Sequence, residues 1–591
     1  VWDDRARDQA RAAFAATGRA HGEETFARVD RQLTSYAAAW GQHRDRLCRL
    51  EAGPDDQTLS ARRICLERRH DRLSAVAQVF RGADATVVDR AAASAYGLPS
   101  LEDCARASLA HSNPAGEEPA REAAAIRTEL AHVEALLDAG RYQEASSRVD
   151  QVLQRAGRLG FEPLQAEALL MRGRVQLVEA SPQTETTAAE AGYLAYSLGQ
   201  DETALQAWLT AASFVARRNA DAAGAERWLR LAGAALTRVG ESDLLRAQLL
   251  MTRAGIHRVA RRGQQGLLDA LEAVRLHRQV LHPDDPLLAA SLNEAGTLYE
   301  ELGRYGEALA LHQESLAQRE RSLGPGHPLT SVSLTNLCAT ARSVGRLEEA
   351  QAACRRAVEL REATLGPDHP DLANSLNSLG AVLSAQGRVE EALALYLRAL
   401  AIRERVFKDS PQVAVQLNNI GAMLRRLGRF PEARDYLQRT VALCVRLEAR
   451  CGAVRSGPYL HLGEIDLAEG RPQAALAQFQ RSRTLTEQLH GPDHPDLAPA
   501  LLGIGKAKLA LGTPREAVPV LERAVELARR KPLPGRTEEA QFQLARALWT
   551  AGGDRPRART LAEEAARSLD GQESQVRLQQ EISGWLAARS R

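Results

Sequence analysis

The stretch LGPDHPDLANSLNSLGAVLSAQGRVEEALALYLRALAIRERV, residues 365–406, contains two apolar-periodic segments separated by Gly-Arg. In both segments apolar residues recur at three- and four-residue spacing, which is the pattern of amphipathic helices. Gly387 lies between them and supplies the left-handed backbone conformation that ends many helices. Pro370 cannot continue a preceding helix, but it fits the first turn of a new one. The stretch therefore predicts a hairpin of two antiparallel helices.

The same pattern recurs along the chain at an almost constant period. The motifs LGPGHP (323–328) and HGPDHP (490–495) repeat the start of the stretch, and equivalent glycines follow one another at intervals of 40 to 42 residues. These glycines are Gly263, Gly303, Gly345, Gly387, Gly428, Gly470 and Gly512. Because one hairpin cannot bury its apolar face alone, stacked hairpins share a continuous core. The period therefore predicts a helical solenoid with a concave groove lined by the first helix of each hairpin.

Small residues mark the point where the two helices of each hairpin are expected to cross. The first helices carry Gly296, Cys338, Gly380, Gly421, Gly463 and Gly505, and the second helices carry Ala308, Ala350, Ala392 and Ala433. The distance between packed helices depends on the side chains at the contact. We therefore expect the small residues of the two helices to face each other.

The Leu-Gly pair of the first helix, an aromatic residue three positions later and the alanine of the second helix resemble the tetratricopeptide repeat. Tyr299 fits the aromatic position, whereas Ala341 and Leu383 depart from it. The period of about 42 residues is closer to the long-helix variety found in kinesin light chains. The resemblance implies an all-α, right-handed superhelical solenoid of antiparallel helix hairpins, preceded by an N-terminal non-repeat helical segment.

Composition agrees with helices and narrows the classes of function. Aromatic residues make up only 4% of the 591 residues, and alanine and leucine supply most of the apolar side chains, which favours helices over strands. The net charge is +2 with both signs interspersed, so no nucleic-acid-binding surface is indicated. No apolar run approaches the roughly 18–20 residues that span a bilayer, so we expect no membrane contact within this chain.

The sequence divides into five predicted segments. A non-repeat helical segment (1–111) and a turn-rich linker (112–119) precede degenerate helical hairpins (120–284). Clean 42-residue repeats follow (285–530), and the chain ends in a hairpin and a capping helix (531–591).

No catalytic motif is present. The sequence lacks a P-loop, a dinucleotide-binding glycine motif, H-E-x-x-H, C-x-x-C and G-x-S-x-G, so we expect a non-catalytic protein without a cofactor. His327, His369 and His494 recur, each in a turn of a different repeat. Because they belong to separate units they cannot converge on one ion. We interpret them as part of the turns and predict no metal site.

Polar residues at equivalent positions of the first helices are the candidate binding residues. They are Asn293, Asn377 and Asn418, three residues before the small glycine, and, one turn further along, Arg342, Arg425 and Arg426. The resemblance implies that the asparagine position faces the groove. A row of asparagine amides can hold the backbone of an extended peptide, and arginines can bind carboxylates. The alternative is that the asparagines bond one helix of the solenoid to the next.

The seven cysteines fall into two groups. Cys48 and Cys65 are equidistant from the turn predicted at GPDDQ (53–57), so they can face each other as a disulfide in an oxidising compartment. Cys104 is then left over or competes for either partner. The other four, in the repeats, are expected to be free thiols that pack as small apolar side chains: Cys338, Cys354, Cys444 and Cys451.

The N-terminal sequence has a second resemblance. VWDDRARDQARAAFAATGRAHGEETFARVDRQLTSYAAAWGQHRDRLCRL (1–50), RRICLERRHDRLSAV (62–76) and LPSLEDCARAS (98–108) are similar to the segment after the membrane helix of bacterial, particularly myxobacterial, receptor serine/threonine kinases. The resemblance implies that a kinase and a transmembrane helix precede Val1. This chain would then be an extracytoplasmic region that binds a protein or peptide. The alternative is a free-standing cytoplasmic scaffold or adaptor, and the oligomeric state stays open.

Overall fold

The computed structural model describes residues 1–49, 57–106, 114–219, 221–240, 242–407, 409–530, 535–570 and 575–589. These residues form 27 α-helices and short 3₁₀ segments without a β-strand, so the predicted all-α class is confirmed. None of the described helices is long and apolar enough to cross a bilayer. Residues 53–56 of the predicted N-terminal turn and residues 112–113 of the predicted linker lie outside the described residues.

The helices follow one another along the chain with short connections. They are α1 (Asp4–Ala16), α2 (Gly22–Cys48), α3 (Gln57–Arg81), α4 (Ala85–Tyr96), α5 (Glu117–Asp138), α6 (Tyr142–Leu159), α7 (Glu162–Val178), α8 (Thr184–Ser197), α9 (Asp201–Asn219), α10 (Ala222–Val239), α11 (Asp243–Val259), α12 (Gly263–Val280), α13 (Pro286–Glu301), α14 (Tyr305–Ser322), α15 (Thr330–Ser343), α16 (Leu347–Leu365), α17 (Pro370–Ala385), α18 (Val389–Val406), α19 (Pro411–Arg426), α20 (Phe430–Leu447), α21 (Gly457–Ala468), α22 (Pro472–His490), α23 (Ala498–Ala510), α24 (Pro514–Arg530), α25 (Arg536–Thr550), α26 (Arg555–Ser568) and α27 (Val576–Ala587).

The helices belong to two compact units. Unit 1 comprises Val1–Arg346 with Glu359–Thr364, and unit 2 comprises Leu347–Val358 with Leu365–Arg591. In unit 1, consecutive helices pack as hairpins from α5–α6 to α13–α14. In unit 2 the hairpins run from α17–α18 to α25–α26, and α27 packs on the last of them. In both units the second helix of a hairpin also packs on the first helix of the next, as a solenoid requires.

Residues with left-handed backbone end the first helices, as the Gly-Arg pattern predicts. Gly303 and Gly387 have φ of 73° and 80°, and the next N–H bonds back to the carbonyl five residues earlier. This is the bond that closes a helix at its carboxyl end. Gly263 was assigned to this role wrongly. It begins α12, and Arg261 takes the left-handed conformation instead, with φ of 56°. The interval to Gly303 thereby becomes 42 residues, the same as in most of the other repeats.

The glycines of the first helices accommodate a bulky side chain of the second helix. A Cβ added at Gly380 would lie 2.8 Å from the Tyr396 ring, and one added at Gly463 would lie 2.7 Å from the Phe479 ring. His312, Leu437 and Leu521 fill the same position against their own glycines, sixteen residues earlier in each case. The expectation that glycine faces alanine is therefore corrected, because the filling residue lies four positions after the alanine.

The N-terminal segment shares its core with the first hairpins of unit 1. Phe14 stands edge-on to Phe26 and to Phe80, with ring centroids 5.7 Å apart in both pairs. The same apolar cluster continues through α5 and α6 into α7. The segment also contacts turns of later repeats, since the His21 ring lies 5.3 Å from the His327 ring. Unit 1 is therefore a single packed body from α1 onwards.

Candidate functional site

Within each unit, the first helices of successive hairpins lie side by side and expose polar side chains. We call these surfaces the first-helix faces; α13 and α15 form that of unit 1, and α17, α19, α21 and α23 form that of unit 2. Asn293 and Arg342 lie in unit 1, and the other four predicted binding residues lie in unit 2.

In unit 1 the asparagines form a bond between neighbouring first helices. Asn336 Nδ2 donates to Asn293 Oδ1 over 2.7 Å, joining α15 to α13. Asn293 is half-buried, and within the described residues its own Nδ2 makes no hydrogen bond. The acceptor of Asn293 is therefore used inside the solenoid, while its amide donor is available.

Unit 2 repeats this arrangement at the same positions. Asn419 Nδ2 donates to Asn377 Oδ1 over 3.1 Å, joining α19 to α17. Asn377 is also half-buried, and its Nδ2 has no partner in the part of the chain that the structure describes. Asn336 and Asn419 were missed from the sequence, although each lies two residues before the small residue of its helix. The regular bond is thus between this position and the predicted asparagine one repeat earlier.

Asn418 differs from the other two predicted asparagines. Its Oδ1 is buried and finds no hydrogen-bond partner among the described residues. A Cβ added at Gly457, the first residue of α21, would lie 3.0 Å from this oxygen. The insertion 447–458, which forms the 3₁₀ segment Glu448–Arg455, therefore delivers the start of α21 directly against Asn418.

The three predicted arginines have different environments. Arg342 is exposed, and its positive charge acts on Glu300 of α13, although no hydrogen bond or ion pair joins it to another described residue. Arg425 Nε lies 3.1 Å from Glu464 Oε2 of the next first helix. Arg426 donates to the carbonyl oxygen and the Oγ of Ser384, over 2.9 and 2.8 Å. Arg425 and Arg426 thus hold neighbouring hairpins together, and Arg342 has a guanidinium free to meet a ligand.

The pKa values of two carboxylates, one on each first-helix face, are shifted in opposite directions. Burial raises the pKa of Glu464, but the hydrogen bond from His461 and the positive charges of Arg425 and Lys506 outweigh it, so the net pKa is lowered. Burial raises the pKa of Glu300, which accepts a hydrogen bond from Thr340. Each face therefore carries charged groups in a partly desolvated setting, which strengthens polar contacts.

The turn histidines bond to their own backbone. The Nδ1 atoms of His327 and His369 accept the N–H two residues later over 3.1 Å, and His494 does the same over 3.3 Å. His369 thereby caps α17, and His494 caps the 3₁₀ turn before α23, whereas His327 bonds to the N–H of Leu329 just before α15. Their interpretation as turn residues is confirmed.

The predicted disulfide between Cys48 and Cys65 is wrong. Cys65 is bonded to Cys104, with Cα atoms 5.5 Å apart, and Cys48 is an exposed free thiol. Distance from a turn does not fix which helix face a residue occupies. Cys65 and Cys104 lie together in a small apolar cluster with Leu66 and Leu101.

The expected free thiols in the repeats are also wrong. Cys444 is bonded to Cys451 across the end of α20 and the following 3₁₀ segment. Cys338 and Cys354 are disulfide-bonded cysteines as well.

Several solved structures match parts of this chain at low sequence identity. A Podosopora anserina protein described as a kinesin light chain with nearly identical TPR-like repeats is 21% identical, with a TM-score of 0.33, over 35% of this chain and 99% of that one. The apo form of RapI is 12% identical, with a TM-score of 0.49, over 62% and 98%. The apo form of the quorum sensor NprR from B. thuringiensis is 14% identical, with a TM-score of 0.47, over 61% and 98%. No curated protein sequence matches this chain.

Family models match much of the sequence. One tetratricopeptide-repeat model matches residues 245–321, 291–342, 329–405, 377–446 and 456–530. A second tetratricopeptide-repeat model matches residues 130–203, within the segment predicted to hold degenerate hairpins. Together the two cover more than half of the chain. The chain belongs to the tetratricopeptide-repeat family.

Proposed function

We propose that this protein is a non-catalytic binding module that holds an extended peptide or protein segment along the first-helix face of each unit. Stacked helical hairpins offer a long continuous surface, and such solenoids commonly use it to bind other proteins. In unit 1, Asn293 would hold the ligand backbone and Arg342 would meet an acidic side chain or a terminal carboxylate. In unit 2, Asn377 would hold the ligand backbone.

The observation that carries the proposal is that each asparagine uses its amide oxygen inside the solenoid and leaves its amide NH₂ group without a bond to another described residue. Asn293 and Asn377 accept a hydrogen bond from the next repeat, which fixes the position of the amide. Their Nδ2 groups have no partner among the described residues and are not fully buried. A carbonyl oxygen of an extended peptide is the natural acceptor for such a fixed donor. Because it is a backbone contact, it holds peptides of many sequences.

The test uses a substitution that removes the donor and keeps the acceptor. Peptides selected on the wild-type protein from a random-sequence display library serve as probes. Asn293→Asp and Asn377→Asp retain an oxygen for Asn336 and Asn419 but lack the amide donor. We expect each substitution to weaken peptide binding by about tenfold, the value of one net hydrogen bond, with little change in the unfolding midpoint.

The matched control removes the bond inside the solenoid and keeps the amide donor for the ligand. Asn419→Ala removes the bond between α19 and α17 and leaves the amide of Asn377 in place. We expect it to lower stability and to affect affinity less than Asn377→Asp. Equal affinities for the Asn377→Asp variant and the wild type would show that the asparagines serve only the solenoid. Ligands that bind elsewhere would then favour a scaffold that joins larger proteins.

We infer, in addition, that the module is the extracytoplasmic region of a bacterial receptor serine/threonine kinase. The sequence resemblance of residues 1–50, 62–76 and 98–108 supports the kinase association. The disulfides Cys65–Cys104 and Cys444–Cys451 support an oxidising compartment, since cytosolic thiols are kept reduced. A cytoplasmic location is the alternative.

Thiol counting tests this location. Natively localised protein, denatured under non-reducing conditions, is expected to react with a thiol reagent at one of its seven cysteines, Cys48. The same chain after reduction supplies the control with seven reactive thiols. Seven thiols before reduction would place the protein in a reducing compartment.

A further inference from the structure

One turn between hairpins differs from its relatives at a single chemically important position. The turns at 323–329, 365–371 and 490–496 share the pattern of glycine, proline, histidine and proline. The first residue is Leu323 or Leu365 in two of them and His490 in the third. The prediction of no metal site rests on the shared histidines, which occur once per repeat, and His490 is an additional histidine in the third turn.

The replacement brings three possible ligands together. His490 is the last residue of α22, and its ring stacks on that of His494 with centroids 4.3 Å apart and planes 18° apart. Asp496 Oδ2 lies 3.7 Å from His494 Nδ1. One donor atom from each of the three side chains lies within 4.8 Å of the others, and all three side chains are partly exposed. An ion can therefore reach them from solvent.

We propose that His490, His494 and Asp496 bind one divalent transition-metal ion of the zinc class. Imidazole nitrogen and carboxylate oxygen are the donors that zinc takes at bond lengths of about 2.0–2.2 Å, so the three groups close by small side-chain rotations. Three protein ligands leave the fourth tetrahedral position to water. The site holds the end of α22 to the turn before α23, and its occupation stabilises this connection in unit 2.

Two features of the surroundings set the strength of the site. Binding through His494 Nδ1 displaces the hydrogen bond from the Asp496 N–H, which at 3.3 Å is longer than the 3.1 Å bond in the sister turn at His369. The positive charge of Arg536 acts on Asp496 and competes with a cation. Both effects weaken the site relative to a structural zinc centre, and we expect a dissociation constant in the micromolar range.

Zinc titration of the metal-stripped full chain tests the proposal. Isothermal titration calorimetry with zinc chloride is expected to show one site per chain, and cobalt chloride to give the visible absorption of tetrahedral Co²⁺. His490→Leu, the residue of the two sister turns, should weaken zinc binding at least tenfold. Asp496→Asn gives a second, more conservative variant with the same expectation.

The sister turn provides the control. His369→Asn keeps a side-chain acceptor for the Asp371 N–H in a turn that has no second histidine, so zinc binding should be unchanged. Zinc at ten times its dissociation constant is expected to raise the unfolding midpoint of the wild type and to leave that of His490→Leu unchanged. Absence of zinc uptake by the wild type, or equal affinity in His490→Leu and Asp496→Asn, overturns the proposal.

Discussion

Lowering the pH from 7 to 4.5 is expected to remove on the order of 4 kcal/mol that four buried groups contribute to the stability of unit 1. Three histidines of this unit, His277, His312 and His327, are at most 1% exposed. Burial lowers the pKa of each to about 4, because the charged imidazole would lose its hydration. Their neighbours do not reverse this: His277 Nδ1 bonds to the Ser291 hydroxyl, and Arg319 lowers the pKa of His312 further.

The sign follows from which state binds more protons. In the unfolded chain the pKa of histidine is about 6.5, so between pH 6.5 and 4 the unfolded state takes up protons that the folded state does not. The stability present above pH 6.5 is therefore lost as the pH falls, by about 2 kcal/mol per histidine at pH 4.5. Asp285 acts in the opposite sense, because burial raises its pKa to about 6. It adds about 2 kcal/mol of stability over the same range, so the four groups together lose about 4 kcal/mol.

Hydrogen exchange of α12 to α14, corrected for intrinsic exchange rates, measures the opening free energy at both pH values. His312→Phe is the informative variant, because Phe479 fills the equivalent position against Gly463. This variant should lose about 2 kcal/mol less than the wild type between pH 7 and 4.5. The same loss in both proteins would mean that His312 does not carry the effect.

The hairpin architecture could be predicted from the sequence because its signals are local. Glycine followed by arginine, an apolar period near 3.6 and proline after histidine each act within one turn of helix. The assignment of Gly263 was wrong because the residue with left-handed backbone is Arg261. A local pattern that relies on glycine does not identify a non-glycine residue in this conformation, which the surrounding structure must hold in place.

The details of the candidate site depend on contacts between repeats, which the sequence of a single repeat does not reveal. Asn377 was identified from its place in the helix, but its partner Asn419 lies in the next repeat. Arg425 and Arg426 are predicted from the sequence as ligand-binding groups, and their contacts with Glu464 and Ser384 depend on the neighbouring repeats. Cys65 likewise pairs with Cys104 because of the helix face it occupies. A sequence period identifies equivalent positions, and the partner at each one depends on how the repeats stack.

Replacing Phe479 with alanine is expected to cost unit 2 about 3–5 kcal/mol. Phe479 is fully buried, and its ring occupies the space left by two glycines of successive first helices. A Cβ added at Gly463 would lie 2.7 Å from this ring, and one added at Gly503 would lie 2.4 Å from it. Because neither glycine has a side chain that could move into the gap, the cavity left by the truncated ring persists.

The effect should be confined to the hairpins that share the ring. In a solenoid each repeat is stabilised by its neighbours, so opening free energies of α21 to α23 should fall while those of unit 1 stay unchanged. Phe479→Leu is the control, since Leu437 and Leu521 occupy the equivalent position in other repeats, and it should cost only about 1 kcal/mol. Residue-resolved hydrogen exchange distinguishes the two variants. Equal losses for leucine and alanine would mean that the ring does not fill the space between the glycines, and that the repeats are joined there by other contacts.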